Sequence, residues 1–222
     1  MAKKQKGRNS VKCFDMEEIL PKTDNQAKAF QSEKNLVLAG SAGTGKSFIS
    51  CYMAIESVLD RRDYRNIVIV RSAVPTRDIG FLPGDDKEKV KIYEEPYAEI
   101  FSDILNRGDA YTTMKHAGIV EFLTTSFLRG INIRNSIVIV DECQNMSLHE
   151  LDSVITRIGN NCRIIFCGDF KQADLKNNGM GSFLRILDAM GEDFDIVEFT
   201  TADIVRSDFV RRYLIAKEEM SL

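Results

Sequence analysis

The segment Gly40-Ser-Ala-Gly-Thr-Gly-Lys-Ser47 constrains this chain more than any other. It matches G-x-x-x-x-G-K-[ST] at every fixed position. Glycines at the fixed positions let the backbone curl so that successive N–H groups converge on one point. An apolar run, Asn35-Leu-Val-Leu-Ala39, precedes the loop and reads as a buried strand. Phe48 to Leu59 follows and reads as a helix. A strand, a glycine-rich turn and a helix in that order place an anion-binding nest at a helix N-terminus. Lys46 brings a mobile charge to the β- and γ-phosphates of a nucleotide, and Ser47 offers a hydroxyl to Mg²⁺.

The rest of the chain repeats the strand-and-helix rhythm. Thr23 or Asp24 caps a short helix at about Gln26 to Gln31. Ile67 to Val70 and Ile137 to Val140 are continuous β-branched runs, as central parallel strands require. Further strands are expected at Ile119 to Leu123, Cys162 to Phe166 and Ile196 to Phe199. A charged helical stretch runs from about Lys87 to Asn106, with a break expected before Pro96. Ser147-Leu-His-Glu150 is a capping box opening a helix to Ile158, with Gly159 as its stop. Phe183 to Met190 is a helix stopped by Gly191. Ser207 caps a last helix with Phe209, Val210, Tyr213 and Leu214 on one face. The fold class is α/β, a three-layer P-loop NTPase with a parallel sheet covered by helices on both faces. Residues 1–20 read as a flexible basic tail with a short element from Phe14 to Leu20. Residues 21–222 read as one domain, the stretch between the second and third strands being an insertion within it.

Two carboxylates, Asp141 and Glu142, stand at the end of the apolar run Ile137 to Val140. Open α/β sheets bind ligands at that strand end. Asp141 is placed to hold Mg²⁺ through water and Glu142 to orient or deprotonate an attacking water. A site that only binds nucleotide needs no Glu142, so this residue points to hydrolysis. Gly168-Asp-Phe-Lys-Gln172 ends another apolar strand and brings Asp169 and Gln172 to the same edge.

Composition limits the alternatives. The 222 residues are 44% hydrophobic and 28% charged with a net charge of −3, so no global basic field draws nucleic acid. The basic segment Met1 to Lys12 lacks a following apolar core and is not read as a signal peptide. No apolar run approaches the ~20 residues of a membrane span. Five scattered cysteines without a CxxC pair fit a reducing cytoplasm. Two histidines leave little scope for imidazole chemistry.

Taken together, the glycine-rich loop, Asp141-Glu-Cys-Gln-Asn145 and Gly168-Asp-Phe-Lys-Gln172 resemble the first RecA-like core of superfamily 1 helicases. The chain resembles the PhoH family of P-loop ATPases more closely. Val70 to Gly84, with Gly80-Phe-Leu-Pro-Gly84, is similar to that family's loop after the second strand, and Asp203-Ile-Val-Arg-Ser207 to its C-terminal arginine motif. The resemblance covers about Pro21 to Ala216. It implies a RecA-like sheet, ATP with Mg²⁺ as ligands, and a set of roles. Gln26 would read the adenine edge, since an amide pairs donor and acceptor at once. Gly40, Ser41, Ala42, Gly43, Thr44, Gly45, Lys46 and Ser47 would cradle the phosphates, with Ser47 and Asp141 on the metal. Glu142 would act on water, Gln144 and Gln172 would couple the γ-phosphate to a bound polymer, and Arg71 and Arg206 would meet phosphate. Asp-Glu-Cys-Gln departs from the commoner Asp-Glu-Ala-Gln by a small change.

A larger departure is that no second RecA-like core is legible. The expectation is therefore a homo-oligomeric ring, a hexamer being one form, in which a neighbour supplies an arginine: Arg206 first, then Arg211 or Arg212. The family resemblance also implies single-stranded RNA as partner, with DNA not separated from it. Thr124-Thr-Ser-Phe-Leu-Arg-Gly130, Arg77 and the basic tail are the local residues that fit such contact. The competing class is an ATP-controlled oligomeric assembly or adaptor without motor activity. A small-molecule kinase fits less well, because no arginine-rich lid is apparent.

Overall fold

The computed structural model describes residues 14–72, 86–170 and 179–220, with the side chains of 86–90 left aside. Its strands are β1 (Asn35–Ala39), β2 (Asn66–Arg71), β3 (Val120–Thr124), β4 (Ser136–Asp141), β5 (Cys162–Gly168) and β6 (Phe194–Glu198). They form one sheet in the order β3-β2-β4-β5-β1-β6, with every pairing parallel. The helices are α1 (Asp24–Gln31), α2 (Lys46–Leu59), α3 (Asp86–Leu105), α4 (Ala110–His116), α5 (Leu148–Ile155), α6 (Met180–Met190) and α7 (Asp208–Glu219).

The period of two along each strand divides the core into two layers. Leu36, Leu38, Ile67, Ile69, Ile137, Ile139 and Ile165 face one side, where they pack with α1, α2, α3 and α4. Val37, Val68, Val70, Val138, Val140, Ile164 and Phe166 face the other, against α5 and α6. All six residues of β4 are buried, as expected of a strand covered on both faces. The three-layer expectation therefore holds. Among the described residues no helix is long and apolar enough to cross a membrane.

Several element boundaries differ from those expected. α2 starts at Lys46, two residues before Phe48, because Gly45 takes φ +87° and serves as its N-cap. Lys46 and Ser47 thus occupy the first helical turn, where the N–H groups are unpaired. α3 runs through Pro96 without a break. Proline inside a helix costs about 3 kcal/mol, but Tyr97, Phe101, Ile104 and Leu105 bury one continuous face here and oppose that loss. α5 ends at Ile155 instead of Ile158, because Ile158 leaves the helix to bridge Ile133. The stretch from Phe14 to Leu20 is not loose: Phe14, Met16 and Ile19 pack against the core, and the Glu17 N–H donates to the Ile104 carbonyl at 2.9 Å.

α7 leaves half of its apolar face in solvent. Phe209 and Tyr213 lie one turn apart and are 74% and 63% exposed. Val210 and Leu214 are rotated about 100° from them and take the partly buried side. Ser207 stands at the N-cap position without a side-chain capping bond.

A candidate nucleotide site at the strand ends

The C-terminal ends of β1, β4 and β5 converge on a cavity of about 660 Å³, a size suited to a small ligand. Gly40 opens the loop above β1 at φ +149°, with no room for a side chain: a Cβ would sit 2.6 Å from the Phe199 carbonyl oxygen. Lys46 Nζ folds back over the loop and donates to the carbonyls of Gly40 (2.8 Å) and Ser41 (2.7 Å). These weak neutral acceptors are the partners an incoming phosphate oxygen would replace. Thr44 Oγ1 donates to the Ser41 carbonyl at 3.1 Å and braces the turn.

Gln26 is 5% exposed and reaches the loop from α1. Its Nε2 donates to the Thr44 carbonyl at 3.2 Å, and its Oε1 accepts from the Lys22 N–H at 2.8 Å. A primary amide carries two N–H donors and two lone pairs. One of each thus remains while the side chain is fixed in place, as reading a base edge would require.

The metal-site expectation joins residues far apart in sequence. Ser47 Oγ lies 3.0 Å from Asp141 Oδ1. A hydroxyl that donates to a carboxylate keeps its lone pairs for a cation. A divalent cation with oxygen preference therefore fits Ser47 and Asp141. Among the described residues no cluster of three or more His, Cys, Asp or Glu forms a self-sufficient metal cage. The pair accordingly suits an ion arriving with a phosphate and its own water.

Glu142 follows with φ 52° and ψ 38°, a left-handed conformation that turns the chain away from β4. This conformation is uncommon for a residue with a side chain and costs about 1–2 kcal/mol. The Gln144 amide steadies the result, with Nε2 at 2.6 Å from Glu142 Oε2 and Oε1 accepting from the Asp169 N–H at 3.1 Å. The acidic strand end is thereby linked to the end of β5. Gly168 is needed at that junction, because a Cβ there would lie 2.6 Å from Cys143 Sγ.

The C-terminal arginine segment folds onto the loop of its own chain. The Val205 N–H donates to the Gly43 carbonyl at 3.0 Å, and a Cβ on Gly43 would lie 3.0 Å from Arg206 Cγ. Asp203 anchors the segment by accepting from Asn25 Nδ2 (2.9 Å) and the Thr200 N–H (2.8 Å). Arg206 therefore lines the cavity of its own P-loop. Its expected role as a neighbour's arginine does not follow from this placement. Arg211 and Arg212 are exposed on α7. Arg71 is not among the residues lining the cavity, and its guanidinium lies 5.6 Å from the Tyr93 ring centre. Gln172, Arg77, the stretch from Gly80 to Gly84 and the basic tail lie outside the described residues.

Two features escaped the sequence reading. α3 forms a wall of the cavity through Pro96, Glu99, Ile100 and Asp103. Its Tyr97 hydroxyl donates to Asp141 Oδ2 at 2.8 Å. Burial, reinforced by the Asp141 charge, pushes the Tyr97 phenol well above its ordinary value, so it remains a donor. The apolar residues Tyr97, Phe101 and Ile104, at helical spacing, mark a buried helix face in sequence, but nothing local names Asp141 as a partner of Tyr97. Cys51, Cys143 and Cys167 are free and buried near the same carboxylate. Burial raises all three thiols, which fits inert packing.

A nest at a helix N-terminus, a Ser–Asp pair and an adjacent glutamate on a six-stranded parallel sheet define the class: a nucleotide-binding protein with the RecA-like fold of P-loop ATPases. The family model described as PhoH-like protein matches residues 18–218, and the chain belongs to that family. Protein PhoH of Escherichia coli is 32% identical over 209 residues, covering 91% of this chain and 59% of that protein. A PhoH-like protein of Synechocystis is 32% identical over 195 residues, covering 86% of this chain and 58% of that one. The chain thus spans somewhat more than half the length of these curated relatives. Among solved structures, the large terminase of a thermophilic bacteriophage in complex with ADP has a TM-score of 0.53 at 14% identity, covering 87% of this chain and 49% of its own. The Sulfolobus solfataricus SWI2/SNF2 ATPase core in complex with dsDNA has a TM-score of 0.50 at 12% identity, covering 86% and 48%. Both likenesses bear on the fold alone.

Proposed function

We propose that this protein hydrolyses ATP with Mg²⁺ and couples the reaction to binding or remodelling single-stranded RNA. The observation that carries hydrolysis is the Ser47–Asp141 pair at 3.0 Å with Glu142 beside it, its carboxylate held by Gln144 at 2.6 Å. Loop N–H groups and Lys46 bind the phosphates, and Ser47 and Asp141 hold the cation. Mg²⁺, when bound, supplies charge neutralisation at the phosphate oxygens. Glu142 orients a water and takes its proton, and Gln144 keeps the carboxylate facing the cavity. Arg206, beside Gly43, adds positive charge where negative charge develops. Gln26 offers its remaining donor and acceptor to adenine, while Ile100 and Pro96 of α3 give the nucleoside an apolar wall.

The RNA part of the reading is supported by Phe127. It lies in the turn after β3, on the strand-end edge, and is 57% exposed, and Arg129, two residues on in sequence, is also exposed. An exposed aromatic in a short segment that also exposes a cation suits stacking with a base. The experiment is the ATP hydrolysis rate with and without single-stranded RNA, with Glu142→Gln as the blank. Strong stimulation that vanishes in the blank supports the reading. Hydrolysis indifferent to RNA and to single-stranded DNA overturns the polymer coupling.

One observation favours the second reading, an ATP-controlled oligomeric assembly or adaptor without motor activity. Phe209 and Tyr213 are exposed on the helix whose Leu214 Cδ1 would lie 3.4 Å from a Cβ on Gly43. Nucleotide at the loop would then be felt at an apolar surface. Mass measured with and without ATP, on wild type and Tyr213→Glu, tests it; one mass under all conditions rejects it.

A further inference from the structure

Asp141 is fixed by donors from three directions. Its Oδ1 accepts from Ser47 Oγ on α2 and from the Glu142 backbone N–H, both at 3.0 Å. Its Oδ2 accepts from Tyr97 on α3 at 2.8 Å. The first two contacts come from the phosphate-binding and acidic motifs. The third comes from the helix between β2 and β3, which no motif of the chain assigns to chemistry.

The torsion that turns a carboxylate about its own axis is broad and nearly two-fold, so its hydrogen-bond partners set the orientation. Tyr97 is well suited to do so. It is 1% exposed, and its ring packs against Phe122 with centroids 5.8 Å apart. The hydroxyl therefore sits at the end of a rigid, immobile lever. With the phenol gone, a buried carboxylate oxygen would lose its partner and rotate toward another donor. Ser47 would then lose the acceptor that holds its lone pairs toward the cavity.

We propose that Tyr97 is a positioning residue for the cation: it sets the rotation of the Asp141 carboxylate and thereby the presentation of the Ser47 hydroxyl. The inference rests on the reading of this cavity as a Mg²⁺–ATP site. It assigns α3 a part in metal binding, in addition to walling the cavity with Pro96, Glu99, Ile100 and Asp103.

The test separates nucleotide affinity from metal dependence. Binding of a fluorescent ADP analogue is measured in EDTA and then across a Mg²⁺ titration, for wild type, Tyr97→Phe and Phe122→Leu. In EDTA, Tyr97→Phe binds as wild type does. Its half-saturating Mg²⁺ concentration rises about tenfold, the lower end of losses seen when a residue supporting a metal ligand is removed. Phe122→Leu, which disturbs the ring's packing but keeps the hydroxyl, lowers the melting temperature with a smaller shift in Mg²⁺ dependence. A Tyr97→Phe protein with the wild-type Mg²⁺ midpoint overturns the inference while leaving the site reading intact. Loss of binding in EDTA as well makes Tyr97 a general support of the loop and overturns it too. A wild-type protein with no Mg²⁺ dependence rejects the site reading itself.

Discussion

Gln144 holds the Glu142 carboxylate at 2.6 Å with one end of its amide and the Asp169 N–H at 3.1 Å with the other. The side chain thus spans from the end of β4 to the end of β5. Displacing β5 would displace the Glu142 carboxylate, the base in the proposed reaction. Two substitutions separate these functions. If Glu142 is the base of the proposed reaction, Glu142→Gln lowers hydrolysis by about 10²-fold or more, with nucleotide binding retained. Gln144→Ala leaves the base present but unheld, so the basal rate falls less, by about tenfold, while any stimulation by polymer is lost. Equal effects of RNA on Gln144→Ala and wild type, measured as fold stimulation, would reject the coupling role.

Arg206 tests cis against trans action. Val205 is hydrogen-bonded to Gly43 of the same chain, and Arg206 lines that chain's cavity. Arg206→Ala should lower the ATPase rate by about 10²–10³-fold, as loss of one charge-stabilising donor does. Mixing it with Lys46→Ala subunits should restore nothing, because each active loop lacks its own arginine. Recovery that follows the statistics of mixed assemblies would return the residue to a neighbour's site.

The sheet was legible because its central strands are compact apolar runs bounded by polar or glycine residues, β-branched throughout at Ile67 to Val70 and Ile137 to Val140. That Lys46, Ser47 and Asp141 would meet at one strand-end edge was legible because glycine-rich loops and strand-end carboxylates are local patterns. Tyr97 was not, since it meets Asp141 across a separation of 44 residues and only the docking of α3 brings them together. α3 itself was misread at Pro96, because tertiary burial of its neighbours outweighs a local helix breaker. The apolar stripe of the last helix was legible, but its burial was not. Periodicity identifies which residues share a face and leaves open whether anything covers it.

Phe127 offers a direct probe of polymer binding. Its exposure at the turn Thr125–Phe127 leaves little folding role for the ring. Phe127→Ala should leave the melting temperature and RNA-free hydrolysis unchanged. Affinity for single-stranded RNA should fall by about 1–3 kcal/mol, the value of one base–aromatic stack. Fluorescence anisotropy with a short labelled oligonucleotide measures it, and unchanged affinity removes Phe127 from the interface.

Gly40 links stability to the site. A methyl group there would meet the Phe199 carbonyl oxygen at 2.6 Å and the Phe199 Cβ at 2.7 Å. Neither is the free end of a flexible side chain, so the loop and the chain after β6 must separate. Gly40→Ala should destabilise the protein by about 2 kcal/mol, or about 4–8 °C in melting temperature for a chain of this size. Nucleotide affinity should fall with it, since the same backbone shapes the nest.

Glu150 should make the strand-end surface sensitive to acid. Its Oε1 accepts from Thr125 Oγ1 (2.6 Å) and Ser72 Oγ (3.2 Å), and its Oε2 from the Ser147 N–H (2.9 Å). One carboxylate therefore joins the chain after β2, the turn after β3 and the start of α5. Burial alone would raise its pKa, but the donors from Thr125, Ser147 and Ser72 outweigh it and hold the group below its ordinary value of 4.5. A depressed carboxylate contributes stability that is fully present above the unfolded value and lost as pH falls through the folded one. Wild type should thus lose stability relative to Glu150→Gln below about pH 4.5, whereas near neutrality the variant should be weaker by about 1 kcal/mol, given the partial exposure of the group. Urea unfolding of both proteins from pH 7 to pH 3 measures the difference. Because Thr125 begins the turn that carries Phe127, Glu150→Gln should also weaken RNA binding at neutral pH. A constant stability gap across the range would show that the carboxylate's charge is not what binds these three segments.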